Sequence, residues 1–111
     1  MQALSATELA AMCADPGADA PVLLDVREPW ETALARITPP RGDTVFVPMM
    51  QIPLRLADVD RTRPVVCICH HGARSAQVVA FLVQQGYPRV YNLTGGIDAW
   101  SRDVDAAVPR Y

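Results

Sequence analysis

Apolar and polar positions follow two rhythms along this chain. Val22-Leu23-Leu24-Asp25-Val26, after Pro21, is an aliphatic run that reads as a buried strand. Val65-Val66-Cys67-Ile68-Cys69, after Pro64, is the strongest strand of the sequence. Val45-Phe46-Val47 is a shorter one cut off by Pro48, and Val90-Tyr91-Asn92-Leu93 is another. Helical spacing lies between them. Ser5-Ala6-Thr7-Glu8 reads as a capping box opening a helix through Cys13, closed near Asp15-Pro16-Gly17. Glu28-Pro29-Trp30-Glu31 suits a first helical turn, with proline early and acids near the positive end. Ala76, Val79, Ala80 and Val83 recur at i, i+3, i+4, i+7 and predict the buried stripe of a helix running from Ala73 to Gly86. A last short helix is expected from Ile97 to Ser101, after a turn at Gly95-Gly96. Residues 38–44 read as a loop, and Leu54 to Val59 is ambiguous between helix and coil.

This alternation predicts one α/β domain over residues 1–111 with a largely parallel sheet. The length suits one modest core, and the formal charge of -2 gives no reason to expect nucleic acid or an anionic membrane as partner. The longest apolar run, Val78 to Val83, falls far short of the ~20 residues of a membrane span. No basic residue precedes Arg27, so no signal peptide is visible and a cytoplasmic location is expected. All ten basic residues are arginine, which excludes Schiff-base, P-loop and Ser-Lys chemistry. An anion must then be held by arginine, histidine, backbone amides or a metal. Three cysteines, an odd number, argue against a secreted disulfide scaffold.

Candidate chemistry concentrates in Cys69-His70-His71-Gly72-Ala73-Arg74-Ser75, where a buried strand gives way to a helix. Ligands of α/β sheets bind at such strand ends. A cysteine there meets the free N–H groups and positive end of the helix, with Arg74 and two histidines adding charge. All of these favour thiolate over thiol. Gly72 lets the backbone turn inward, so Cys69 becomes a nucleophile inside a small cradle of amides.

The loop resembles the active-site pattern of the rhodanese family: cysteine, two variable residues, glycine, one variable residue, arginine, then serine or threonine. Asp25-Val26-Arg27-Glu28, Gln85-Gly86-Tyr87 and Leu93-Thr94-Gly95-Gly96-Ile97-Asp98-Ala99-Trp100 extend the resemblance over nearly the whole chain. It implies a three-layer fold, with a central, mainly parallel sheet of about five strands flanked by helices. It also implies a thiosulfate sulfurtransferase working through a Cys69 persulfide. A small-molecule sulfur donor and a thiol or cyanide acceptor are the implied partners. No cofactor and no metal are expected. Handing the sulfur to a protein acceptor, with little use of thiosulfate, is the second implied role. Leu34 to Gly42 departs from the family's Gly-His-Ile-Pro-Gly-Ala segment, which leaves donor preference open.

Several residues carry plainer readings as well. Cysteine-dependent phosphatases place five residues between cysteine and arginine; four separate Cys69 from Arg74, a tighter cradle that suits sulfur better than phosphate. Cys67 is expected on the opposite strand face as core packing, and Cys13 as packing on the first helix. Cys67, Cys69, His70 and His71 are too crowded to close a tetrahedral metal site. The histidines rim the pocket or simply face solvent. Arg74 contacts an anion or supports the loop by pairing with a carboxylate, for which Asp25 is the candidate. Asp25 and Arg27 read as structural support at a strand end, and Trp30 and Trp100 as core or pocket-edge aromatics. Asn92-Leu93-Thr94 matches a glycosylation sequon, a chance hit in a strand expected to be cytoplasmic.

Overall fold

A computed structural model describes residues 2–111. After a two-residue strand β1 (Ala3–Leu4), too short to leave a sequence pattern, the capping box forms. The Ser5 hydroxyl accepts from the Glu8 N–H at 3.1 Å, and the Glu8 carboxylate accepts from the Ser5 N–H at 2.8 Å. Helix α1 (Ala6–Ala14) follows, then β2 (Val22–Asp25) and α2 (Pro29–Leu34). Strand β3 (Asp43–Phe46) leads into 3-10 segments at Met49–Leu54 and Leu56–Asp58. The chain continues through β4 (Val65–Ile68), α3 (Ala73–Gln84), β5 (Val90–Leu93) and α4 (Gly96–Asp103).

The five strands lie in the order β1-β5-β4-β2-β3, every neighbouring pair parallel. All strand C-termini therefore open on one edge, and Cys69 emerges there beside the end of β2, where Asp25 pairs with Ile68. Alternate residues feed two cores. Val22, Leu24, Val65 and Cys67 pack under α3 with Val78, Val79 and Leu82. Leu23, Val66, Ile68 and Leu93 pack on the other face with Leu9 of α1 and Ile97 and Trp100 of α4. This is a three-layer α/β fold.

Three expectations need correction. Cys67 shares the face and core of Cys69 rather than opposing it, because strand side chains repeat every two residues. The buried stripe of α3 is Ser75, Val78, Val79 and Leu82, not Ala76, Val79, Ala80 and Val83; Val83 is 57 % exposed. Six consecutive apolar residues from Val78 carry no phase of their own, so the loop that starts the helix sets its rotation. Strand β3 begins at Asp43, inside the expected loop, since an edge strand accommodates polar Asp43 and Thr44 opposite Val22 and Leu23. Of the two tryptophans, Trp30 is exposed with its ring edge-on to Tyr111, and Trp100 is buried.

Candidate active site

Strand β4 stops at Ile68, and the chain turns through Cys69, His70, His71 and Gly72 before Ala73 starts α3. Gly72 caps that helix in the left-handed region, with φ of 107°, which a residue with a Cβ adopts only under strain. This turn aims the Gly72 N–H at the Cys69 Sγ, 3.0 Å away. Ser75 places its Oγ 3.3 Å from the same sulfur and 2.5 Å from the Asn92 Oδ1. One hydroxyl proton serves one acceptor at a time, and Asn92, Cys69 and the Gly72 carbonyl, 3.3 Å away, all lie within its reach. Asn92 Nδ2 in turn donates to the Gly72 carbonyl at 3.1 Å, tying the loop to β5.

Helix α4 fixes the loop from the other side. The Ile97 N–H donates to the Cys69 carbonyl at 2.9 Å, and the Asp98 N–H to the His70 carbonyl at 3.2 Å. Because trans peptides are planar, the N–H groups of His70 and His71 point away from α4. A Cβ on Gly96 would lie 2.5 Å from the Cys69 carbonyl oxygen and 2.3 Å from that of His70, so only glycine permits this approach.

The Asp25–Arg74 pairing expected from sequence does not occur. Arg27 occupies both oxygens of Asp25, through Nε at 2.9 Å and Nη2 at 2.7 Å. Its remaining donors reach the Glu31 and Ala35 carbonyls and the Tyr111 hydroxyl. All five guanidinium N–H groups are thereby satisfied in a fully buried side chain. Arg74 instead grips Glu31 of α2 with both terminal nitrogens, at 2.6 and 2.8 Å. The Arg74 bonds foremost, helped by the Tyr111 hydroxyl and the Glu28 N–H, hold the buried Glu31 carboxyl down at about 2. The same pairing raises the Arg74 guanidinium above its ordinary value.

Cys69 is itself buried, with 1 % of its surface exposed. All three cysteines are free thiols. Burial pushes Cys67 far up, with nearby Cys69 adding to it, and burial also raises Cys13. His70 is half-buried and stacks face to face on Tyr111 and on His71, with ring centroids 3.9 Å apart in both cases. His71 is exposed. Among the described residues, no three His, Cys, Asp or Glu side chains converge as metal ligands, and no helix is long and apolar enough to cross a membrane.

Of the expected loop residues, Gly72 and Ser75 reach the Cys69 sulfur, His70 and His71 stack on each other, and Arg74 turns to Glu31, while Asp25 and Arg27 pair with each other. Glu31, Asn92 and Tyr111 were missed. Glu31 reads locally as a helix-start acid, Asn92 as a strand residue, and Tyr111 has no local pattern. Only the strand order, which sets β5 beside β4, brings Asn92 to the loop.

A buried cysteine thus sits on a short loop between a parallel strand and a helix, where the Gly72 N–H and the Ser75 hydroxyl reach its sulfur. The chain belongs to the rhodanese-like domain family, which it matches over residues 5–103. It is 47 % identical over 81 residues to a sulfurtransferase of Allochromatium vinosum, covering 73 % of this chain and 72 % of that one. It is 49 % identical over 47 residues to the thiosulfate sulfurtransferase GlpE of Actinobacillus pleuropneumoniae serotype 3, covering 42 % of this chain and 44 % of that one. The crystal structure of a rhodanese-like domain protein from Staphylococcus aureus superimposes with a TM-score of 0.78 at 28 % identity, covering 100 % of this chain and 99 % of that one.

Proposed function

We propose that this domain transfers sulfane sulfur through a Cys69 persulfide, with thiosulfate as a competent donor. The Cys69 thiolate attacks the outer sulfur of thiosulfate, forming a new S–S bond. The bond to the sulfonate sulfur breaks, and its electron pair leaves with sulfite. The enzyme is left as Cys69–S–S⁻. An acceptor thiolate or cyanide then attacks the terminal sulfur, breaking the Cys69 S–S bond and regenerating the thiolate. The observation that carries this reading is the Gly72 N–H at 3.0 Å from Sγ, on a loop whose Cys69 and His70 carbonyls are tied away to α4. Donors fixed in this way stabilise anionic sulfur without reorganising as charge develops. The Ser75 proton, shared with Asn92, is within reach of the same sulfur.

His70 and His71 flank the cradle, Ala73 begins the helix behind it, and Arg74 supports the loop through Glu31 instead of meeting the donor. Asp25 and Arg27 act as structural support beneath. Cys67 has no polar partner and does not compete for the persulfide.

The pairing of Arg74 with Glu31 also favours a second reading, a persulfide relay to a protein acceptor. With both terminal nitrogens engaged, Arg74 offers little attraction to dianionic thiosulfate. The two readings separate by steady-state rates with thiosulfate and with a cysteine persulfide as donors. Ping-pong kinetics with thiosulfate, abolished in Cys69→Ser, are expected for the first. Turnover of the persulfide alone identifies the relay. Thiosulfate turnover that survives in Cys69→Ser would sink both.

A further inference from the structure

The tail after α4 folds back across the site. Val108 packs into the core shared by α1 and α4, and Arg110 pairs with both oxygens of Asp98 at 2.9 and 3.1 Å. Tyr111 is thereby delivered to the loop. Its ring lies 3.9 Å from that of His70 and within 6° of parallel, and Trp30 meets it edge-on at 6.2 Å. Its hydroxyl donates to the Glu31 Oε2 at 2.7 Å and accepts from the Arg27 Nη1 at 3.0 Å. One side chain therefore touches the residue after Cys69, the carboxylate that holds Arg74, and the buried arginine beneath.

We infer that Tyr111 is a positioning residue, a latch that holds the Cys69 loop closed and sets which reagents reach the sulfur. This role rests on Cys69 being the sulfur carrier. Two features make the latch releasable. Cys69 is 1 % exposed, so how firmly its loop is held sets how large a reagent can reach the sulfur. The closed arrangement also leaves His70 Nε2 buried without a hydrogen-bond partner, a penalty that water removes once the stack separates. Closure is favoured by a ring stack and two hydrogen bonds, and opening by hydration of one ring nitrogen. Such a balance is shifted by small changes in contacts.

The test measures alkylation of Cys69 with no sulfur donor present, so its outcome is independent of whether sulfur transfer occurs. Wild type, Tyr111→Phe and Tyr111→Ala, each checked for folding by circular dichroism, are treated with iodoacetamide and with a bulky aryl maleimide. Peptide mass spectrometry reads Cys13, Cys67 and Cys69 separately. Losing the stack and both hydrogen bonds in Tyr111→Ala is expected to speed maleimide labelling of Cys69 by about tenfold or more. The gain for iodoacetamide should be smaller, because the smaller reagent needs less opening. Tyr111→Phe, which keeps the ring and loses both hydrogen bonds, falls between and remains informative if the alanine variant does not fold. Unchanged Cys69 labelling in the folded variants overturns the latch. So does a rise at Cys13 and Cys67 in step with Cys69, which marks general loosening.

Discussion

Cys67 and Cys69 stand two residues apart, share one face of the sheet, and are both almost wholly buried. Their polar partners differ. Cys67 is inside β4, where its backbone is committed to the sheet and its thiol meets the apolar core. Burial drives that thiol upward and leaves it inert. Cys69 lies one residue past the end of the strand, where the backbone is free to turn the Gly72 N–H inward and Ser75 follows from the helix. Depth alone makes a cysteine unreactive; the end of the strand supplies the polar partners that chemistry requires.

The strongest way to sharpen this contrast is to remove each sulfur. Cys69→Ser is expected to lower sulfur transfer at least about a thousandfold while the fold persists. Cys67→Ala is expected to keep activity within about twofold and to cost about 1 kcal/mol of stability through a small cavity. Steady-state rates and urea denaturation read the two outcomes. Comparable activity losses in both variants would erase the distinction.

Gly96→Ala attacks the loop of Cys69 without touching the sulfur. The new Cβ meets two loop carbonyls at a residue with φ of 62°. A loss of at least about 2 kcal/mol in stability is expected, with most of the activity. A variant as stable as wild type in thermal denaturation would show that α4 does not hold the loop.

The Glu31–Arg74 clamp gives a pH signature that Cys67 cannot. The Glu31 carboxyl is held at about 2, below the ordinary 4.5. A depressed acid contributes stability that is complete above its unfolded value and is lost as pH falls through the folded one. This loss therefore belongs to the window from about pH 4.5 down to about 2, and amounts to about 3 kcal/mol. Acid titration of stability by circular dichroism should lose that component in Glu31→Gln; an identical acid profile would contradict the clamp.

The smallest effect is expected at Ser75. Ser75→Ala removes one donor near the sulfur and should lower kcat/KM by about three- to tenfold. A full-rate variant would leave the Gly72 N–H as the donor that matters.

How much of this was legible in the sequence depends on the range of the interactions. Ser5 and Glu8, three residues apart, announce α1, and the run from Val65 announces β4, because both signals are local. The grouping of Cys69, Gly72 and Ser75 was legible too, since these residues lie close together in sequence. The partner of Arg74 was not, for it sits 43 residues away in α2. Asp25 was the plausible carboxylate until Arg27, only two residues along, took both of its oxygens. Asn92 needed the strand order, and Tyr111 needed the path of the tail. The rotation of α3 was hidden because a wholly apolar stretch fits more than one face.

The central claim is that Cys69, and neither Cys13 nor Cys67, carries the transferred sulfur. Mass spectrometry of the wild-type protein after brief exposure to thiosulfate or a cysteine persulfide, under non-reducing conditions, tests it most directly. Addition of one sulfur atom, mapped to the peptide of Cys69 and discharged by cyanide, is the predicted result. An unmodified Cys69 with both donors, or sulfur found on Cys13 or Cys67, would contradict it.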